Sequence, residues 1–583
     1  MRLAALCFFF INFMAMKRVL AIFLSLALLA FSTQPAGAQK EHRALIVPLN
    51  FTDIHPGVSQ ETLDSLATEL ANYYNAQFNG KVSFHFDVAP TFNVGGKSTY
   101  YGANTSYQRD AQAYKMALNT YRTLYDKMDF SIYDNDNDGY VNDIIFLTPG
   151  IPESSGGGED QFWPQYTELE DKDIPYSLRV RLYGYALVSE QNEDGSTAGI
   201  GLIAHEFGHI LGLKDMYDTD AEASGGVCPG LGITCLMDNG MKNDSGNTPP
   251  NLNAVERDLL GTGKCEVIDS AGVFTLEPIH LNGRYFKLPT TTQESYYLLE
   301  NRSSEGNDAF IGGHGMLIYK VDRSESDAGY SSYFQRTLTA LERWNLNQVN
   351  CNPDFPCAAI VPAKIDTLDS SAIFWPKEGR SFSPGKMVLT NICAESDGSI
   401  SFTALEPLRI GNVSVFQSSA IVNWAISEEM GPVDSCKIDW SRSGEPLGSE
   451  DGNHLGNGKY SFTIQGLKPR NTYVYTLRVH YSDGSSFSSS GKFITRIIRN
   501  GILRFMFFGE TARNADGSFP VGASIPLVVY NSVDEEVVWS FNGRHIAPGP
   551  DGLWAIPGDG ILKAEITTTN GTNDIIIKEI RVK

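Results

Sequence analysis

Ile203-Ala204-His205-Glu206-Phe207-Gly208-His209-Ile210-Leu211-Gly212-Leu213-Lys214-Asp215-Met216-Tyr217-Asp218 is the most informative stretch of the 583-residue chain. Histidines at i and i+4 stand one turn apart on one helix face, so both imidazoles can reach a single cation. Glu206 follows the first histidine, where it can hold a water for attack. Gly212 can adopt a left-handed conformation, end the helix and turn the chain back. Asp215 then returns as a third ligand. Three protein ligands with a fourth position left for water is the arrangement of catalytic zinc, which lowers the water's pKa to about 7. The plain alternative is a helix with two core histidines, but Gly212 and Asp215 extend the pattern beyond what packing requires.

These residues resemble the signature of the immune inhibitor A-type secreted zinc metallopeptidases. Other stretches share the resemblance. Asn72-Tyr73-Tyr74 with Gly80-Lys81 is similar to an early helix and turn of that family. Tyr133 to Asp143 is similar to its acidic loop, and Phe162-Trp163-Pro164 to its active-site approach. Leu298-Leu299-Glu300-Asn301-Arg302 and Gly313-His314-Gly315-Met316-Leu317-Ile318 resemble later strands. Together these cover residues 43–405. Lys214 departs from the family's usual proline before the third ligand.

The third ligand has two candidates. Spacing and resemblance favour Asp215. Glu256, on an expected helix from Asn251 to Leu260, would instead follow the thermolysin-like pattern of a downstream glutamate. With Asp215 as ligand, Thr234-Cys235-Leu236-Met237-Asp238 resembles the Met-turn that lies beneath the metal in metzincin-type peptidases. The expected reaction is direct attack by zinc-activated water, with Glu206 as general base. Tyr217 either assists the oxyanion or orients Asp215. Tyr185 to Glu190 reads as a strand, either interior to a sheet or an edge that pairs with an extended substrate.

A second cation site is expected at Asp134-Asn135-Asp136-Asn137-Asp138-Gly139-Tyr140-Val141-Asn142-Asp143. Carboxylates at positions 1, 3 and 5, glycine at 6 and the Tyr140 carbonyl at 7 fit the start of a calcium loop. Position 12 is Ile145, so Asp143 is the expected closing ligand. An Asx-rich turn uses the same residues without a cation, but these carboxylates repel one another unless one is bound.

The chain is 42% hydrophobic, with 68 acidic against 46 basic residues and a net charge of −22. That balance argues against nucleic acid as a partner, because phosphate binding needs a basic surface. Lys17 and Arg18, the apolar run Val19 to Ala30 and Ala36-Gly37-Ala38 form a signal-peptide pattern over residues 1–38. Export to the extracellular space, or to the periplasm or cell surface of a bacterium, is therefore expected, with no transmembrane segment afterwards. The close pairs Cys228/Cys235 and Cys351/Cys357 suit small disulfide-closed loops in that compartment.

The expected architecture is an α+β zincin/metzincin-like catalytic domain (39–265) with a β-rich extension (266–407), followed by two all-β sandwich modules. Val422-Asn423-Trp424 and Thr472-Tyr473-Val474-Tyr475 resemble a fibronectin type III domain over 408–495. Residues 496–583 read as an immunoglobulin-like sandwich. Two functions compete: a zinc endopeptidase acting on protein or peptide, and a surface-binding, adhesin-like protein that retains a peptidase scaffold and holds a cell-surface or glycan ligand through its C-terminal modules. The complete set His205, Glu206, His209 and Asp215 favours the first.

Overall fold

The computed structural model describes residues 40–583 except 107, 171–172, 175–177, 365–369, 377–380, 417, 496–503, 506–512, 515, 531–535, 551 and 568–572. The expected signal peptide and its cleavage site lie outside the described residues. In chain order, the site is built from β1 (Lys40–Asn50), α1 (Gln60–Gln77), β2 (Val82–Val88), α2 (Ala113–Tyr125), β3 (Ile144–Thr148), β4 (Gln165–Glu168), β5 (Gly184–Ser189), α3 (Ile200–Ile210), α4 (Ala254–Leu260), β6 (Ser295–Arg302), β7 (Gly315–Asp322) and α5 (Ala340–Asn345).

β1 carries the unbroken apolar run Ala44-Leu45-Ile46-Val47 because it is covered on both faces. Ala44 and Ile46 face a core filled by α1 and α3, whereas Leu45, Val47 and Leu49 face a second core filled by α2. The sheet order is β2-β1-β3-β5-β4, with Phe92–Asn93 pairing to the end of β1. Every pairing along that order is parallel except β5 with β4. Of the two readings of Tyr185 to Glu190, the interior strand is the one found, and the edge reading is corrected. β5 lies between β3 and β4 and is buried along its whole length, so β4 is the outer strand. α3 lies against both β5 and β4.

α1 begins at Ser59, whose hydroxyl accepts the Thr62 N–H. It buries Leu63, Ala67, Leu70, Tyr73, Tyr74 and Gln77 along one face and ends where Asn79 and Gly80 take positive φ. The Tyr74 hydroxyl donates to the Ala204 carbonyl at 2.6 Å, fixing α3 from below.

The β-rich segment shares this core. Leu298, Leu317, Tyr319 and Val321 of β6 and β7 pack in the same cluster as Ala204, Phe207 and Met237. Within it Arg302 is fully buried between Glu300 and Asp308. Its guanidinium also donates to the Asn251 carbonyl at 3.1 Å and the Thr234 carbonyl at 3.4 Å. Glu300 accepts from the Tyr319 hydroxyl and the Ala254 N–H. Buried charges are tolerated only when paired and hydrogen-bonded, and this network ties β6 to the segment carrying Met237.

Between residues 408 and 494, two four-stranded antiparallel sheets enclose one core of Trp424, Ile438, Tyr475 and Leu477. Beyond 518, a four-stranded sheet and a short two-stranded pair surround Trp539, Phe541, Trp554 and Leu562. Among the described residues no helix is long and apolar enough to cross a membrane.

Candidate metal centre

α3 places His205 and His209 on one face with ring centroids 4.9 Å apart. The helix can sit deep because it has glycine where neighbours come close. A Cβ on Gly201 would stand 2.0 Å from the Met241 carbonyl oxygen, and one on Gly208 would stand 2.7 Å from the Met237 sulfur. Gly212 takes φ +103 at the helix end, and the Leu213 N–H donates back to the Gly208 carbonyl at 2.9 Å. The turn read from Gly212 is therefore present, and Lys214 does not keep Asp215 from the histidines.

Asp215 Oδ1 lies 3.2 Å from Nε2 of both His205 and His209. The opposite ring nitrogens face carbonyl oxygens: His205 Nδ1 is 3.0 Å from Leu236 O, and His209 Nδ1 is 3.0 Å from Leu213 O. A carbonyl can only accept, so in each neutral ring the proton sits on Nδ1 and Nε2 presents a lone pair. Two lone pairs and a carboxylate oxygen then converge on one point. That arrangement repels itself without a cation, and its N₂O donor set suits zinc. Where no cation joins them, the rings can face Asp215 only as proton donors: burial pushes the Asp215 carboxyl up, and hydrogen bonds and charge from protonated His205 and His209 then hold it well below the usual carboxylate range.

Glu206 is buried, and its Oε2 has no hydrogen-bond partner. Burial pushes its carboxyl up to about 8; Asp215 adds to the shift and His205 opposes it. Tyr217 interacts with the Asp215 carboxylate through its hydroxyl, and burial followed by that carboxylate pushes its pKa far up. Met237 lies fully buried beneath the centre, with its sulfur against Gly208. Glu256, the competing third ligand, is engaged elsewhere: Oε1 accepts the Met237 N–H at 2.9 Å and Oε2 the Asn253 N–H at 2.7 Å.

Residues 49–261 match the family model described as the immune inhibitor A peptidase M6 catalytic domain. This segment is similar to a peptidase M6 catalytic domain. A similar curated protein is immune inhibitor A of Bacillus thuringiensis subsp. alesti, 28% identical over 184 residues, which is 26% of this chain and 26% of that protein. The match thus spans about a quarter of the relative. Two solved structures align with 16% of this chain at a TM-score of 0.13 each. One is a computationally redesigned β-sandwich protein (19% identity, 97% of its chain covered) and the other a human fibronectin type III domain (14% identity, 77% covered).

In the acidic loop of the matched segment, Asp134, Asp136 and Asp138 bring carboxylate oxygens within 4.8 Å of one another. Burial, then the neighbouring Asp136 and Asp134, raise the Asp138 carboxyl. Tyr140 starts a short strand that pairs with Arg181. The expectation for Asp143 is corrected. One of its oxygens lies 2.7 Å from His42 Nε2, the other accepts from Asn135 Nδ2 at 2.8 Å, and it does not join the other three carboxylates.

The disulfide expectation is also corrected: all seven cysteines among the described residues are free. Cys235 points its thiol at Glu256, 3.3 Å away in the core. Cys351 lies 3.1 Å from the Thr219 hydroxyl, and Cys357 immediately precedes the Ala358–Ile360 strand, where burial and then nearby groups that include Cys228 and Cys351 push its thiol up.

One participant escaped the sequence reading. Asn347 lies 132 residues beyond Asp215, yet its side chain contacts both the main chain and the carboxylate of Asp215. No local pattern could have flagged it.

Proposed function

We propose that the chain is a secreted zinc-dependent endopeptidase, with His205, His209 and Asp215 as zinc ligands and Glu206 as general base. The observation that carries this reading is the convergence of two bare Nε2 atoms and one carboxylate oxygen on a point beside the unpartnered Glu206 carboxylate. Bound zinc would supply Lewis acidity toward water and the scissile carbonyl. The chain's own residues do the rest. Glu206 takes the proton from the attacking water and hands it to the leaving amine. The Leu236 and Leu213 carbonyls fix the imidazole tautomers. Tyr217 sits at Asp215, which favours orientation of that ligand over direct work on the oxyanion.

β4 supports a peptide substrate. It is the antiparallel outer strand of the sheet, it lies beside α3, and one of its edges has no strand partner among the described residues. An extended peptide can add there through main-chain hydrogen bonds. This edge strand, the zinc-motif helix and Met237 beneath it together support a zincin/metzincin-like fold for 39–265, with 266–407 as its β-rich part. The facing sheets of 408–495 support a fibronectin type III-like module, and 496–583 is proposed as an immunoglobulin-like module. The signal-peptide pattern of residues 1–38 supports export. The converging carboxylates of Asp134, Asp136 and Asp138 support a structural calcium ion, with the Tyr140 carbonyl as a further ligand. No observation favours the surface-binding scaffold reading over the enzyme.

The test is zinc content and casein cleavage by the mature chain. Stoichiometric zinc with chelator-sensitive cleavage is expected. Zinc binding without cleavage of casein or of a broad peptide library would overturn the endopeptidase reading.

A further inference from the structure

We infer that Asn347 is a positioning residue of the metal centre, which is therefore completed by a loop lying outside the peptidase M6 match. The inference rests on the zinc reading and deepens it.

His205 and His209 are fixed by a helix, but Asp215 is not. It lies three residues past Gly212 in a segment without regular secondary structure. A carboxylate there has two equivalent oxygens, and which one meets a cation depends on what holds the other. Tyr217 touches the group from two residues away, and Asn347 binds one oxygen and the main chain together. Its Oδ1 accepts the Asp215 main-chain N–H at 2.8 Å, and its Nδ2 donates to Asp215 Oδ2 at 2.6 Å. With Oδ2 engaged, Oδ1 alone is left facing the two imidazoles, 3.2 Å from each. The arrangement selects single-oxygen ligation.

The residue type fits this task. Asn347 follows α5 with φ +54, a conformation that asparagine tolerates better than most side chains. The loop is docked by neighbours as well. The Thr219 hydroxyl donates to the Asn347 carbonyl at 3.2 Å, and Asn350 Nδ2 donates to the Met216 carbonyl at 2.8 Å. Asn350 therefore anchors the same loop without touching Asp215, and this separates positioning from plain loop packing.

The experiment uses the full mature chain, stripped of metal, as wild type, Asn347→Ala, Asn347→Asp and Asn350→Ala. Zinc affinity is read by competition with a chromophoric chelator, and geometry from the absorption of the cobalt(II) form. Loss of an outer partner of a metal ligand typically costs about 10–100-fold in affinity. Both Asn347 variants are expected to lose zinc affinity in that range with an altered cobalt spectrum, whereas Asn350→Ala stays within about twofold of wild type. Asn347→Asp retains tolerance of the left-handed backbone and an acceptor for the Asp215 N–H, so it decides the matter if the alanine variant does not fold. Wild-type affinity and spectrum in Asn347→Asp would overturn the inference, and so would an equal loss in Asn350→Ala. Absence of zinc binding by the wild type would instead remove the metal reading itself.

Discussion

Glu256 holds the main-chain N–H of Met237 on one carboxylate oxygen, at 2.9 Å, and that of Asn253 on the other, at 2.7 Å. It therefore closes a capping box on α4 and fixes the turn beneath α3 in one gesture. This assigns Glu256 to the scaffold. Glu256→Gln should keep stoichiometric zinc while losing about 1–3 kcal/mol of stability, because an amide NH₂ would face the Asn253 N–H. Equilibrium unfolding and metal analysis of the same preparation check this. A folded variant that has lost its zinc would return Glu256 to the ligand set.

The three converging carboxylates of the acidic loop repel one another unless a cation joins them. A calcium-selective chelator that leaves zinc in place should lower the melting temperature. For ligand at about 100 times its dissociation constant, the lost stabilisation is about 2.7 kcal/mol. Asp136→Asn should lower the melting temperature in calcium and blunt its response to chelator. An unchanged melting temperature in wild type would contradict calcium at this loop.

Asp110 is buried beneath the start of β4, where one oxygen accepts from the Trp163 N–H and Gln165 Nε2 and the other has no partner. Burial pushes its carboxyl up to about 7 from 3.8. The folded state therefore binds a proton more readily than the unfolded chain between those values, and this group's penalty on folding is relieved as pH falls from 7 towards 4. Asp110→Asn removes the ionisation and keeps an acceptor. It should raise the melting temperature at pH 8, with the gain shrinking by pH 5. A gain equal at both pH values would contradict the burial account.

Cys235 is predicted to be a free thiol, because its sulfur is committed to Glu256 in the core. Alkylation after denaturation without reduction, followed by peptide mapping, should label it fully. A Cys228–Cys235 disulfide in that map would contradict the placement.

The parts of the site that were legible in the sequence are those whose geometry is local. A helix spacing of four and a glycine three residues later are enough to place His205, His209 and Asp215 together. Burial is legible too: Ala186-Leu187-Val188 is an unbroken apolar run, the mark of a strand covered on both faces, whereas Gln165 to Glu168 is polar as an outer strand should be. Asp143 is next to the acidic loop in sequence, but β1 passes close enough for His42 to take it. Asn347 and the Arg302 network depend on segments packing across long separations, and nothing in their own neighbourhoods announces a partner. The competition between Asp215 and Glu256 was of the same kind, since only the fold shows which carboxylate is already occupied.

The central claim is that Glu206 moves the proton in a zinc-dependent hydrolysis. Its most direct test is Glu206→Gln in the mature chain, with zinc content and peptide cleavage measured on one sample. General base catalysis typically contributes about 10²–10⁴-fold. The account predicts full zinc occupancy with cleavage reduced by at least that factor. A zinc-loaded Glu206→Gln protein cleaving at the wild-type rate would contradict it.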